Sequence, residues 1–132
     1  MKQKVIDVYF NKNMKISAEM DGLSIATDQS VKEGGDGSAP SPFQLFLASL
    51  ATCAGVYAKR FCETRKLSTE GLAIRVLCDF AEKGFKIDKI TYEMTLPQDF
   101  PEKYKSAIIR SVDLCAVKKH VCESPEFEII TK

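Results

Sequence analysis

Two cysteines are the residues of this 132-residue sequence best suited to chemistry. Cys53 lies in an apolar stretch with a helical pattern, and Cys115 lies in a second segment predicted to be helical. A thiolate is a nucleophile, and two thiols that meet can be oxidised to a disulfide. A buried thiol on a helix is usually an unreactive part of the hydrophobic core. With a thiol partner and a cation on its own face, it could instead reduce peroxides.

A cation near Cys53 decides between these interpretations, because an apolar site raises the pKa of a thiol. Cys53 lies about three turns past the start of its helix, where the helix dipole contributes little. Arg60 follows seven residues later, within ~20° of the same face, and its side chain leans back toward Cys53. Tyr57 could place a hydroxyl there as well. We predict Arg60 as the thiolate partner; a solvated Arg60 and a cation from Lys32 remain the alternatives.

The other cysteines have simpler interpretations. Cys62 is nine residues from Cys53, about 900° around a helix, and so lies on the opposite face. Cys78 alternates with core residues and behaves as a small hydrophobic residue. Cys122 is seven residues from Cys115, which puts their Cα atoms ~10 Å apart in one helix, too far for a disulfide. Cys115 is therefore preferred as the partner of Cys53, with Cys122 a distant second.

Composition narrows the class of protein. Five cysteines, an odd number, and no pattern of an export signal predict a reducing, cytoplasmic location. Cys115, His120 and Cys122 lack a fourth ligand at the usual spacing, so we predict no metal and no cofactor. A net charge of +1 argues against a nucleic-acid partner. The sequence contains no run of eighteen consecutive residues that are all apolar and uncharged, so we expect no membrane span. The length predicts one domain, residues 1–132.

The elements that position these residues follow from hydrophobic periodicity and turn signals. Three N-terminal strands are predicted to form a meander, followed by a glycine-rich loop at 28–41 that is either a flexible connector or a cover for a site. Ser41, Pro42 and Gln44 form a capping box that opens a long helix ending near Leu67. Because residues 43–58 are apolar almost all round, we expect this helix to be buried. The three strands of the meander are predicted at 5–10, 14–20 and 23–27. Further strands are predicted at 71–80, 85–96 and 127–130, and further helices at 101–112 and 113–121.

The fold class predicted is α+β, with a long central helix between a β-meander and a second sheet portion with two further helices. Two segments add a resemblance. The run from Pro42 to Cys53, with the loop before it, and the run Leu114-Cys-Ala-Val-Lys-Lys119 resemble the OsmC/Ohr family of thiol peroxidases. In the family's second motif a proline follows the cysteine, where this sequence has Ala116. The resemblance covers nearly the whole chain.

This resemblance implies an OsmC-like fold and an intertwined homodimer with active sites at the subunit interface. It implies that organic hydroperoxides are reduced by a two-cysteine mechanism, with Cys53 peroxidatic and Cys115 resolving. A dithiol reductant of the lipoyl or thioredoxin type would regenerate the pair. Apolar residues around Cys53 (Phe46, Leu50 and Tyr57) are the predicted pocket for a small hydrophobic hydroperoxide.

Two positions differ from the family pattern. Members that confer resistance to organic hydroperoxides have an arginine in the N-terminal third and a glutamate just after the helix-opening proline. Here no arginine precedes Arg60, and Phe43 and Gln44 follow Pro42. These differences favour an alternative: an OsmC-like protein that binds a small hydrophobic ligand or handles sulfur without efficient peroxidase turnover.

Overall fold

The computed structural model describes residues 2–132 and has the mixed α+β composition that the sequence predicts. Contacts divide the chain into two compact units, one up to Ala48 and one from Ser49 to Lys132. The longest helix begins in the first unit and ends in the second. The elements are β1 (Asp7–Phe10), β2 (Ile16–Met20), β3 (Leu23–Thr27), α1 (Pro42–Thr64), β4 (Ala73–Phe80), β5 (Ile87–Thr95), α2 (Lys105–Asp113) and α3 (Ala116–Cys122).

The N-terminal unit contains an antiparallel meander in the order β1-β2-β3. Asp21 and Gly22 join β2 to β3 with positive φ angles of 50° and 76°. Two successive positive φ angles are the geometry of the tight hairpin turn that an Asp-Gly pair favours. The predicted meander is confirmed.

The start of α1 is set by the predicted capping box. The Ser41 amide donates to Gln44 Oε1 at 2.9 Å, and the Gln44 amide donates to Ser41 Oγ at 3.2 Å. The helix ends at Thr64, three residues before the predicted end, because Lys66 has a positive φ of 54°. Leu67 N–H then bonds back to Cys62 O at 2.8 Å, which satisfies a carbonyl at the helix end.

The C-terminal unit packs the second half of α1 with the antiparallel β4–β5 pair and with α2. The residues of α1 that are buried recur every three or four positions, as one helix face requires. Around them lie Phe100, Ile108 and Val112, which complete the core. The buried positions of α1 are Leu50, Ala54, Ala58, Phe61 and Cys62.

The rest of α1 is not buried by its own chain, and this differs from the prediction. Of its most apolar eighteen-residue window only 28% is buried, and Val56 is 45% exposed. The apolar character all round the helix indicated burial on every side, but the chain alone covers a single face. The remaining apolar surface is available to another partner.

By length and composition alone, α1 could also cross a membrane, as could the core helices of many soluble proteins. This observation is weak evidence. The expectation that the chain spans no membrane stays a prediction.

Two C-terminal predictions are wrong for the chain by itself. Residues 127–130 form no strand, and Phe127, Ile129 and Ile130 are at least 80% exposed. A strand needs a neighbour to take up its backbone hydrogen bonds, and no described strand pairs with this segment. Cys115 is not inside a helix either: it is the residue before α3, with an extended backbone at ψ 128°.

Candidate functional site

Cys53 and Cys115, the two cysteines singled out by sequence, meet in the C-terminal unit. Cys53 lies on α1, and Cys115 lies at the break between α2 and α3. The two thiols lie close enough to influence each other's pKa. Cys115 is 1% exposed and Cys53 is half-buried, so Cys53 is the more accessible of the two residues.

The backbone after Cys115 also acts on Cys53. The N–H groups of Ala116 and Val117 lower the pKa of its thiol. The first N–H groups of a helix have no acceptor within that helix, so they are free to bond to another group.

These backbone donors were missed by sequence reasoning, which considered only the start of α1 as a source of helix donors. One signal for them was present: an alanine stands where the family motif has a proline. Proline has no N–H group, whereas Ala116 has one.

The electrostatics separate the two thiols. Burial by itself raises the pKa of Cys53, but the Cys115 thiol, the two N–H groups and the charge of Arg60 outweigh it and lower that pKa. Burial and the neighbouring Cys53 raise the pKa of Cys115 by more than the backbone N–H groups of Val117 and Lys118 lower it. The opposite directions of the two shifts favour the thiolate at Cys53 over one at Cys115. This order suits attack by Cys53.

Arg60 influences the Cys53 thiolate through its charge. The guanidinium is exposed, and its effect on the pKa of Cys53 is the smallest of the named causes. It therefore assists the thiolate from the predicted helix face, while the larger lowering of the pKa of Cys53 comes from the segment after α2. Arg60 as the main thiolate partner stays a prediction. The alternative cation, Lys32, lies in the N-terminal unit and is exposed.

The predicted pocket residues fall in both units. In the C-terminal unit, Leu50 is buried and Tyr57 is half-buried, three residues before and four after Cys53 on the same helix. Phe46 belongs to the N-terminal unit and is 37% exposed. Their contact with a substrate stays a prediction.

Tyr92 on β5 is a neighbour of the thiol pair that sequence reasoning did not find. Burial raises the pKa of its phenol, and the charges of Cys115 and Cys53 raise it further. Its place in the alternating pattern of β5 marked it as inward-facing, but only the packed sheet shows that it approaches both thiols.

A groove of about 480 Å³ adjoins Tyr92. Its volume is within the usual range for small-molecule sites. Lys118 lies on its rim and forms an ion pair with Asp113. The other residues that line the groove are Ile90, Met94, Ile109, Arg110 and Val112.

The remaining cysteines lie where the sequence indicated. Cys62 is fully buried in the core, and burial raises its pKa. Cys78 is half-buried on β4, and Cys122 is exposed. Among residues 2–132, no group of three His, Cys, Asp or Glu side chains is arranged to hold a metal ion.

Comparison with known proteins identifies the family. The family model for OsmC-like proteins matches residues 35–130, well over half of the chain. The chain belongs to the OsmC-like family. No curated protein matches the sequence.

Solved structures agree on the fold. One from Psychrobacter arcticus, described as an osmotic stress induced and detoxification response protein, has a TM-score of 0.73 at 21% identity, over 90% of this chain and 88% of that chain. An organic hydroperoxide resistance protein OsmC from Legionella pneumophila has a TM-score of 0.57 at 20% identity, over 92% and 90%. An OsmC-like protein from Mycoplasma pneumoniae has a TM-score of 0.71 at 16% identity, over 93% of this chain and 89% of that chain. At these identities the likeness shows the fold, and the predicted OsmC-like α+β fold is confirmed.

Proposed function

We propose that this protein reduces organic hydroperoxides, with Cys53 as the attacking thiolate and Cys115 as the resolving thiol. One observation carries the proposal: the two thiols lie close enough to shift each other's pKa, which is lowered for the accessible Cys53 and raised for the buried Cys115. Thiolate character and access are what make a cysteine react with peroxides. The family includes a structural neighbour named as an organic hydroperoxide resistance protein.

The reaction has three steps. The Cys53 thiolate attacks the outer oxygen of the hydroperoxide, the O–O bond breaks, and the alkoxide takes up a proton and leaves as an alcohol. Cys53 is now a sulfenic acid, and the sulfur of Cys115 displaces its hydroxyl to form a disulfide and water. A dithiol reductant of the lipoyl or thioredoxin type then returns both residues to thiols by exchange.

A hydrophobic hydroperoxide suits the surroundings better than hydrogen peroxide does. Leu50 and Tyr57 flank Cys53 on α1, and the groove beside Tyr92 is walled by the side chains of Ile90 and Met94. Apolar walls bind the organic part of a substrate by removing it from water. Phe46 extends the same apolar run of sequence.

We further propose a cytoplasmic, intertwined homodimer with its active sites at the subunit interface. Two apolar surfaces support this assembly: the part of α1 that its own chain leaves uncovered, and the exposed segment at 127–130. Exposed apolar surface of this extent marks an interaction site. Light scattering during gel filtration would then give a mass near twice the 14.7 kDa of the chain.

A second function is favoured by a specific observation: the arginine and the glutamate of the hydroperoxide resistance pattern have no counterpart here, and Arg60 acts on Cys53 only through its charge. In that case the protein binds a small hydrophobic ligand or handles sulfur without efficient peroxidase turnover. The groove beside Tyr92 would be its ligand site.

Peroxide consumption separates the two functions. Cumene hydroperoxide is supplied with dihydrolipoamide as the reductant, and wild type is compared with Cys53→Ser. We expect the variant to lose activity by at least about a hundredfold, because a serine hydroxyl is a far weaker nucleophile. Cys122→Ser, which changes an exposed cysteine, is the matched control and should retain activity.

Equal peroxide loss with and without Cys53 would contradict the peroxidase. A wild type that binds cumyl alcohol in calorimetry but consumes no peroxide would support the second function. Peptide mass spectrometry after one equivalent of peroxide should show the Cys53–Cys115 disulfide in the wild type.

A further inference from the structure

The groove beside Tyr92 has an apolar lining contributed by two elements. The strand β5 contributes Ile90 and Met94, and the helix α2 contributes Ile109. Ile109 is 58% exposed, so part of this apolar lining is open to solvent. Such a surface gains free energy when an apolar molecule covers it and displaces water. The groove is therefore suited to the apolar body of a ligand.

The charges of the groove are not balanced. Its charged side chains are Arg110, Asp113 and Lys118, which are two cations and one carboxylate. The ammonium group of Lys118 is already paired with the carboxylate of Asp113. Among residues 2–132, no acidic side chain forms an ion pair with Arg110. The guanidinium group of Arg110 is therefore available to an anion from outside the chain.

We propose that this groove binds a small apolar molecule that carries one carboxylate, and that Arg110 receives the carboxylate. A guanidinium group presents a planar fork of N–H donors, which matches the two oxygens of a carboxylate. The inference rests on the proposal that this groove is the ligand site, and it names the class of ligand. A free carboxylic acid and a hydroperoxide that carries a carboxylate share this chemistry.

Two other grooves of the protein lack this combination. One of about 370 Å³ at the turn between β2 and β3 is lined by the carboxylates of Asp7, Glu19 and Asp21, which would repel an anion. One of about 460 Å³ along α1 has a single charged residue in its lining, Lys59, and this residue is paired with Glu63. Charge complementarity therefore favours the groove formed by β5 and α2.

Two matched probes test the role of the carboxylate. Octanoate and octanol have the same number of carbons and differ in the charge of the head group. Each is titrated into the protein and followed by ¹H–¹⁵N NMR, which should show shifts at amides of β5 and α2. We expect octanoate to bind about fivefold more tightly than octanol, the upper end for an exposed ion pair. Sodium chloride should remove this advantage, because salt screens exposed charges.

Two substitutions separate the charge from the apolar lining. Arg110→Gln removes the cation, so octanoate binding should fall to the level of octanol while octanol binding stays unchanged. Ile109→Asn removes exposed apolar lining and should weaken both probes alike, by about fourfold for each CH₂ group no longer covered. Lys105→Gln, which removes a cation of the same helix outside the groove, is the matched control and should bind both probes as the wild type does.

Inhibition of peroxide turnover distinguishes the two sources of the carboxylate. If the ligand is a substrate with a carboxylate, octanoate should raise the KM for cumene hydroperoxide and leave kcat unchanged. If the ligand is a free acid bound apart from the reacting thiols, octanoate should bind with the same affinity and leave the KM unchanged.

The titrations can overturn the inference. Equal affinity for octanoate and octanol in the wild type, or unchanged octanoate binding in Arg110→Gln, would contradict a carboxylate ligand held by Arg110. Binding of neither probe at β5 and α2 would contradict the groove as a ligand site altogether. Because the titrations need no peroxide, they test the inference equally well in a protein that consumes none. Circular dichroism spectra check that each variant is folded.

Discussion

Two groups in this protein have a lowered pKa, with opposite consequences. Asp28 in the N-terminal unit is fully buried and accepts bonds from the N–H groups of Gln29, Asp36 and Ser38 and from the Ser38 hydroxyl, which lies 2.6 Å away. Cys53 in the C-terminal unit is half-buried, and groups of the segment after α2 lower its pKa. One group fixes a loop, and the other is a candidate nucleophile.

The hydrogen-bond donors around Asp28 lower its pKa by more than burial raises it. The Ser38 hydroxyl, followed by the backbone N–H groups, holds the pKa of this carboxyl far below its usual range. Asp28 is therefore ionised at every physiological pH and anchors the loop that follows β3. The sequence left two interpretations of this loop, a flexible connector or a cover for a site. The hydrogen bonds to Asp28 show that the loop is ordered.

At Cys53 the balance is closer. Burial is the largest single influence on its pKa and opposes the thiolate, and the donors outweigh it only in sum. One of these donors, Cys115, is itself an acid. Where hydrogen-bond donors clearly outweigh burial, as at Asp28, the group stays charged and stabilises the structure. Where the two effects nearly cancel, as at Cys53, the group can change its protonation state and react.

Removal of Asp28 should produce the largest effect on stability. Asp28→Ala leaves buried N–H and O–H groups without their acceptor, so we expect the melting temperature at pH 7 to fall by about 10 °C. Asp36→Ala, in the same loop, removes an exposed carboxylate paired with Lys15 and keeps its N–H group. This control should change the melting temperature by no more than about 2 °C. Differential scanning calorimetry measures both.

The pH dependence of this effect has a definite sign. The folded-state pKa of Asp28 is lowered, so its stabilisation is fully present above the unfolded pKa, near ~4, and is lost as pH falls through the folded value. The gap in melting temperature between wild type and Asp28→Ala should therefore be widest at neutral pH and narrow as pH falls below about 4. A gap that is constant down to pH 2 would show that the charge of Asp28 is not what stabilises the loop.

Loss of one donor at Cys53 should have a smaller effect, on reactivity and not on folding. Ala116→Pro removes an N–H group that lowers the pKa of Cys53. Proline suits the first position of a helix, and the extended Cys115 before it, at ψ 128°, accepts a following proline. We expect the pKa of Cys53 to rise and its alkylation at pH 7 to fall about fivefold.

Ala116→Gly is the matched control, because it changes the side chain and keeps the N–H group. It should alkylate at close to the wild-type rate. If the proline variant reacts as fast as the glycine variant, the backbone N–H of Ala116 contributes nothing to the thiolate, and the Cys115 thiol and Arg60 would have to account for the lowered pKa of Cys53.

Features encoded within one segment were predictable from sequence. Ser41 and Gln44 identified the start of α1 because a capping box needs only four consecutive residues. The pairing of Cys53 with Cys115 came from a resemblance over two short motifs, and the structure brings these thiols together. Each success depended on a local pattern.

Features that depend on packing between segments were not predictable. Ala116 and Val117 act on Cys53 from the segment after α2, and no residue of that segment indicates this by itself. The approach of Tyr92 to both thiols depends on the β4–β5 sheet. The predicted strand at 127–130 failed because strand formation requires a partner, and no described strand of this chain provides one.

The smallest expected effect concerns Gly55, two residues after Cys53 on α1. A Cβ at this position would meet no atom within 4 Å, and the residue lines a groove of about 460 Å³. Gly55→Ala should therefore stabilise the protein by about 0.5–1 kcal/mol through helix propensity, which chemical denaturation can measure. Gly22→Ala is the opposite control: its φ of +76° strains any side chain, so it should destabilise. A Gly55→Ala protein that is less stable than wild type would show that the groove is filled, and a loss of dimer at the same time would place the second copy against α1 at this position.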